Sequence, residues 1–214
     1  MKKIIPSSIL VLACAGFTVS NQTIASDLPS FNFVDGYLAN IEQPAISGSS
    51  RTANGLGLRA SGEIGEQLYM TGQFNRASKG YDIPVNLPGG AEGDTINTSI
   101  TSKNLRLGVG YYQALDFGQN MPATAIYSSL EYVSEAAVAD RDALGIGVGV
   151  RSMLTRELEL KLGVKYDYFN DVIGNDFYFE AGAAYRLTPA FSIIGEGSFA
   201  DERETLILGG RFHF

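Results

Sequence analysis

The chain has 214 residues, a formal net charge of −7 and a sequence pI near 4.7. It contains one cysteine and one histidine, which excludes an internal disulfide, a cysteine-based zinc site and the usual histidine-rich metal centres. Binding to a nucleic acid backbone needs a basic face, so we expect no nucleic acid partner for this acidic chain. The length suits a single domain.

The first 25 residues have a composition of their own. Lys2 and Lys3 precede an apolar stretch over 9–19, and Ala25 ends a candidate cleavage site. The apolar stretch is shorter than the ~20 residues that a membrane-spanning helix needs. The segment 1–25 therefore reads as a secretory signal peptide, and 26–214 as the exported domain. A lipoprotein signal at Cys14 is the weaker alternative.

After residue 30 the chain repeats runs of about ten residues in which bulky apolar residues alternate with small or polar ones. In the clearest run, 158–168, Leu, Val and Tyr occupy every second position while Glu159, Lys161, Lys165 and Asp167 fall between them. A period of two indicates a β-strand. The pattern predicts ten strands, over 31–41, 54–64, 67–76, 102–113, 123–133, 143–153, 158–168, 176–187, 191–199 and 205–214. An even number allows a closed up-and-down antiparallel transmembrane β-barrel; eight strands is the alternative count.

The face opposite the apolar one combines many glycines with charged side chains. Glycine is a poor choice for a strand position in water, but inside a narrow barrel it makes room for long neighbours. We therefore expect an enclosed, ion-paired lumen. Its predicted members are Arg59, Glu63, Arg106, Glu131, Arg151, Glu159, Lys161, Lys165, Asp167, Glu180, Arg186, Glu196 and Arg211.

Aromatic residues of the apolar face concentrate near strand ends, as in the girdles where a barrel meets both membrane interfaces. The predicted girdle residues are Tyr111, Tyr132, Tyr166, Tyr168, Phe177, Phe179, Tyr185, Phe191 and Phe199. The first strand departs from the pattern. Phe31, Phe33 and Tyr37 share a face with Asp35, which would direct a carboxylate into lipid unless a bulge near Gly36 shifts the register.

Most of the predicted connections alternate between tight turns and longer loops, the expected asymmetry between periplasmic and external ends. The segment 77–101 is expected to be the longest loop, and it could bind a surface partner whose identity the sequence does not give. Acidic residues near 140–142 and 201–204 are read as solvated loops. Divalent cations could bridge them to lipopolysaccharide.

The chain ends in a strand with Leu208, Gly210 and Phe212 at alternate positions before the terminal Phe214. With the signal peptide and the alternating strands, this resembles the small outer-membrane β-barrel proteins of Gram-negative bacteria. The stretches 55–59, 105–112 and 184–189 are similar, more narrowly, to a porin-like, quorum-sensing-associated subfamily. The resemblance implies location in the outer membrane and recognition of Leu208, Gly210, Phe212 and Phe214 by the barrel-assembly machinery.

Candidate chemical sites have simpler structural explanations. The segment 55–60 fits a loose dinucleotide-loop pattern, but it lies within a predicted strand and opens no helix. The single histidine, His213, is expected to fill the lumen as a hydrogen-bonding group, and the glutamates have basic partners. We predict no catalytic residues, metal site or cofactor, and hence no enzyme.

The leading functional hypothesis is a structural or surface-interaction barrel with a largely side-chain-filled lumen, in contact with outer-membrane lipid and lipopolysaccharide. One alternative is a narrow porin-like channel for small polar solutes. For a channel, ten strands is a marginal size. A membrane enzyme is the disfavoured third hypothesis.

Overall fold

The computed structural model describes residues 28–43, 51–84, 95–115, 122–136, 140–169, 175–200 and 203–214. The predicted signal peptide and its cleavage site lie outside these ranges. The strands are β1 (Phe33–Gln43), β2 (Arg51–Gly65), β3 (Leu68–Pro84), β4 (Thr95–Leu115), β5 (Ala123–Ala136), β6 (Asp140–Met153), β7 (Leu158–Phe169), β8 (Asp176–Thr188), β9 (Phe191–Phe199) and β10 (Glu204–His213).

Each strand pairs antiparallel with its neighbours in sequence, and β1 pairs with β10 to close the sheet. The prediction of a closed ten-stranded up-and-down barrel is confirmed. Alternation is visible in β6, where Leu144, Ile146 and Val148 are exposed while the residues between them are buried. Within the described ranges, no helix is long and apolar enough to cross a membrane.

The side chains of the first strand face the opposite way from the sequence-based expectation. Phe33, Asp35 and Tyr37 all face the lumen, while Val34 and Leu38 face outward, the latter with 62 % of its surface exposed. Pairing with both neighbours runs without a register shift through this stretch, so no bulge is present near Gly36. The expectation that these aromatic residues face lipid was wrong, because Asp35 is held inside by two arginines.

The prediction of a loop over 77–101 is also largely wrong. β3 and β4 continue to Pro84 and from Thr95, and they pair with each other from Leu68↔Tyr111 to Pro84↔Thr95. Only 85–94 lies between them, outside the described residues. Runs of Thr, Ser, Asn and Gly in this segment suggested a loop, but the antiparallel pairing keeps them extended.

Lumenal glycines make room for tyrosine rings as well as for charged side chains. A Cβ atom built on Gly57 would overlap the ring of Tyr37, and one on Gly110 would overlap the ring of Tyr69. Each ring lies over the neighbouring strand, at the glycine that is its cross-strand partner. Glycine at these positions is therefore required by close packing across the narrow barrel.

This packing predicts that Gly110→Val destabilises the barrel by about 1–3 kcal/mol, because the added methyl groups meet the Tyr69 ring. Gly195→Val is the matched control, since no atom lies within 4 Å of a Cβ built there. The measurement is the temperature at which an unboiled, folded band on a denaturing gel converts to the unfolded position. Equal conversion temperatures for both variants would contradict the packing argument.

Candidate functional site

The lumen holds one continuous ion-pair network that starts at the end of the barrel carrying both termini, here called the near end. Asp35 is fully buried and lies between two arginines: Arg59 Nη2 is 2.5 Å from its Oδ2 and Arg211 Nε is 2.8 Å from its Oδ1. Arg211 also approaches Glu159, whose Oε1 accepts a 2.8 Å hydrogen bond from Arg151 Nε. The near half of the lumen is thus cross-linked between β1, β2, β6, β7 and β10.

The network continues toward the opposite, far end through β9, β7, β8, β5 and β4. Arg59 bridges to Glu196, Lys161 Nζ lies 3.4 Å from Glu196 and 3.1 Å from Glu180, and Lys165 contacts Glu180. Lys165 Nζ is 3.0 Å from Glu131, Arg106 lies 3.2 Å from the same carboxylate, and Arg106 ends the series on Asp167. Bases and acids alternate along the whole path.

Among the described residues, six bases and six acids belong to this network, so its formal charge is zero. Its members are Asp35, Arg59, Arg106, Glu131, Arg151, Glu159, Lys161, Lys165, Asp167, Glu180, Glu196 and Arg211. Removing such charges from water is costly, and mutual pairing with hydrogen bonds offsets the cost only when every member has a partner. The balance of charge is therefore a condition for filling the lumen in this way.

The structure places eleven of the thirteen predicted lumenal charges in this network. Glu63 and Arg186 differ: among the described residues neither forms an ion pair, and Glu63 accepts a 3.0 Å hydrogen bond from the Tyr112 hydroxyl instead. Asp35 is the member that sequence reasoning missed. Its arginine partners, both on the predicted lumenal face, were the signal that could have found it.

The near end of the lumen is closed by the residues that precede β1. Phe31 is 97 % buried, lies 4.2 Å centroid to centroid from Tyr112 in a stacked arrangement, and packs against Tyr69 and Tyr127. The Arg151 guanidinium lies 4.6 Å from the Phe31 ring centroid. Asn32 fixes the segment by accepting a 2.8 Å hydrogen bond from Glu63 N. We call residues 28–32 the N-terminal plug.

At the far end, a second, smaller cluster lies on the inner side of the neighbouring strands β5, β6 and β7. Val133, Ala143 and Phe169 pack together, and the Arg141 guanidinium lies 3.8 Å from the Phe169 ring centroid. Nearby, Glu135 accepts a 2.9 Å ion-paired hydrogen bond from Arg203. Packed side chains thus lie inside the barrel at both ends.

Between these two clusters lies a cavity of about 70 Å³, lined by network members and by Phe31, Ser61 and Tyr127. This is room for roughly five water molecules, at 10–15 Å³ for each. The Ser61 and Tyr127 hydroxyls are buried there without a hydrogen-bond partner in the described structure, as expected of groups that bind cavity water. The space is too small for a solute of the size of a sugar.

His213 makes a contact that the sequence did not reveal. Its Nε2 lies 2.9 Å from the hydroxyl of Ser192, a buried residue of β9, while Nδ1 is buried with no partner among the described groups. The role of His213 as a lumenal hydrogen bonder is consistent with this geometry. In the part of the chain that the structure describes, no group of three or more His, Cys, Asp or Glu residues is arranged to hold a metal ion.

The outer surface carries the predicted girdle and C-terminal residues. All nine predicted girdle residues are exposed on the outside of the barrel, together with aliphatic residues of the same strands. Leu208 and Phe212 are likewise exposed on the outer face of β10, and Phe214 follows the end of that strand. The outside of the sheet therefore carries a broad apolar band, which is the reverse of a water-soluble barrel.

No protein-family model matches the sequence, and no curated protein matches it. Among solved structures, the translocator domain of autotransporter NalP from Neisseria meningitidis matches with a TM-score of 0.52 at 10 % identity, over 87 % of this chain and 89 % of that one. The NanC porin matches with a TM-score of 0.49 at 9 % identity, over 84 % and 100 % of the two chains. The KdgM porin gives 0.46 at 9 % identity, over 85 % and 99 %.

At these identities the similarity shows the fold alone, and the comparison that supports it is the one with the NalP domain. This chain has the fold of the outer-membrane β-barrels, as its resemblance implied. The narrower resemblance to a quorum-sensing-associated subfamily stays a prediction.

The network predicts that Asp35→Asn lowers the free energy of unfolding by about 3–5 kcal/mol, because two buried arginines lose their shared counterion. Asp140→Asn is the control: this carboxylate is exposed at the start of β6. The measurement is guanidinium unfolding of the detergent-solubilised protein followed by circular dichroism. If the two variants unfold at the same denaturant concentration, Asp35 does not hold the network together.

Proposed function

We propose that this chain is an exported outer-membrane barrel that acts as a structural or surface-interaction protein, with a closed lumen. The single observation that carries the proposal is the filling of the interior: a neutral network spans it, packed side chains lie at both ends, and the cavity between them has a volume of about 70 Å³. A channel needs a continuous aqueous path, and the side chains that occupy the lumen argue against one. Function is then left to the outside of the molecule.

Location in the membrane is supported by the distribution of polarity. Large apolar residues cover the outer face of every strand, and turning a lysine of β7 toward hydrocarbon would cost roughly 2–4 kcal/mol near the midplane. In this proposal the aromatic girdles contact the two lipid interfaces, and lipopolysaccharide surrounds the far end. The near end, with both termini, faces the periplasm.

The C-terminal strand supplies the proposed contact with the barrel-assembly machinery. Leu208, Gly210 and Phe212 occupy alternate positions on the outer face of β10. An assembly factor can bind such a face before the barrel closes, since β10 pairs with β1 only when the sheet is complete.

Enzymatic function receives no support from the lumenal ion pairs, because the lumenal carboxylates are engaged by bases.

The proposal predicts that the purified protein, inserted into a planar bilayer, gives no steady single-channel current. The paired variant Arg59→Ala, Glu196→Ala removes one base and one acid from the middle of the network, and it should introduce small current steps because the charge stays balanced while the path widens. Folding of both proteins is checked by heat-dependent gel mobility. Steady conductance of the unmodified protein would favour the narrow-channel hypothesis and overturn the closed-lumen proposal.

A second prediction concerns assembly. Replacing Phe212 and Phe214 together by alanine should reduce the folded fraction in outer-membrane preparations several-fold, while the purified variant still folds in detergent, because the strand pairing of β10 is retained. Tyr185→Ala, Phe191→Ala is the control pair of exposed aromatic residues elsewhere. Equal losses for the two pairs would indicate a general need for aromatic surface rather than recognition of the C-terminal strand.

A further inference from the structure

β3 and β4 extend beyond their neighbours at the far end as a two-stranded ribbon. β2 accompanies β3 as far as the pair Asn54↔Ser78, and β5 accompanies β4 as far as Lys103↔Ala136. From Lys79↔Ile100 to Pro84↔Thr95, β3 and β4 pair with each other, and no other described strand pairs with either. These six pairs extend roughly 20 Å at 3.3 Å per residue.

The two free edges of this ribbon differ in composition. The β3 edge, 79–84, contains Lys79, Asp82 and Pro84, the residue types that protect a strand edge from pairing with another chain. The β4 edge, 95–102, has neither a charged residue nor a proline. The β3 edge thus carries residues that disfavour the addition of another strand, and the β4 edge carries none.

The open edge has a sequence that matches itself in reverse. Residues 95–101 read Thr-Ile-Asn-Thr-Ser-Ile-Thr, a palindrome about Thr98 apart from Asn97 and Ser99. Two antiparallel copies centred on Thr98 place Thr95 opposite Thr101 and Ile96 opposite Ile100. Like-with-like Thr and β-branched pairs are favourable across antiparallel strands, and no like charges meet. A self-complementary patch is what a two-fold symmetric contact requires.

We infer that the β4 edge, residues 95–101, is a contact site for a second copy of this chain, with the two strands antiparallel about a two-fold axis at Thr98. The contact would join the two ribbons into a four-stranded sheet in the order β3, β4, β4 of the second copy, β3 of the second copy. Main-chain hydrogen bonds would supply the affinity, as in other cases of strand addition to a sheet edge.

The direction of the strands decides how the two copies are arranged. β4 runs from the far end toward the near end, so an antiparallel partner β4 belongs to a barrel that points the opposite way. Two copies in one membrane point the same way and cannot form this pair. This inference rests on the proposed membrane insertion with the far end outside the cell. The contact therefore joins barrels in two facing membranes, as in adhesion between cells.

The first test uses Thr98→Cys, which introduces the only cysteine of the predicted mature chain. In the proposed register the two thiols meet at the axis, so oxidation or a short thiol-specific cross-linker should give a covalent dimer of the folded protein in detergent. Thr101→Cys is the matched control: each copy of residue 101 is three residues from the axis, so the two copies are six residues, or on the order of 20 Å, apart. We expect at least tenfold more dimer at 98 than at 101.

Register is tested by mixing Thr95→Cys with a tagged Thr101→Cys protein, which should cross-link to each other and not to themselves. Absence of dimer at 98, or equal cross-linking at 98 and 101, would overturn the inference. Folding of each variant is verified by its heat-dependent gel mobility. A parallel or shifted arrangement would appear as a different cross-linking pair and would also contradict the register.

The second test measures tethering of phospholipid vesicles that carry the protein, by light scattering. Unmodified protein should tether vesicles, whereas Thr98→Asp alone or Thr98→Lys alone should not, because two like charges meet at the axis. Vesicles with Thr98→Asp mixed with vesicles with Thr98→Lys should tether again. Tethering that is insensitive to these changes would refute the contact.

The two proposals fail in distinguishable ways. If the protein does not insert into vesicles, measured by resistance to carbonate extraction, the membrane proposal fails and tethering is lost for every variant. If it inserts and folds but neither cross-links at residue 98 nor tethers vesicles, the self-contact of β4 fails alone.

Discussion

The sheet of this protein is closed with its apolar face outward, and that constraint directs the ionic side chains of the network into the interior. A charge enclosed in a narrow barrel needs a counterion within hydrogen-bonding distance. Asp35 between Arg59 and Arg211 shows the result, since strands β1, β2 and β10 are fixed to one another through one carboxylate. The same pairing repeats along the lumen. The ion pairs join side chains of different strands, so the closed sheet is what brings each charge to its counterion.

The network also explains why the strand register is well determined. A one-residue slip of β7 would exchange Lys161 and Lys165 with their apolar neighbours, separating Glu180 and Glu131 from their partners while exposing ammonium groups to hydrocarbon. Apolar packing alone tolerates such shifts more easily. Tyr37 and Tyr69 add a steric condition, because each ring lies over the glycine that pairs with it on the next strand.

The periodicity of the sequence was sufficient to predict the architecture. A period of two is visible wherever one face of a strand is apolar and the other ionic, as in β7. It failed where both faces carry similar residues. In β1 the aromatic rings face inward and resemble the outward girdle residues, so only the long-range pairing of Asp35 with Arg59 and Arg211 reveals the orientation. The pairing of β3 with β4 beyond residue 77 and the contact of Ser192 with His213 likewise depend on distant partners, which local patterns do not encode.

A filled lumen changes where function can reside. In the proposed role, the N-terminal plug, the network and the Phe169 cluster fill the interior, and the outer wall contacts lipid. The proposal then leaves contacts with other molecules to the far end, where the β3–β4 ribbon extends past its neighbours. One of its edges carries the charges and proline that ordinarily prevent strand addition, and the other does not. Because unprotected edges invite aggregation, an edge without such protection is consistent with a specific strand partner.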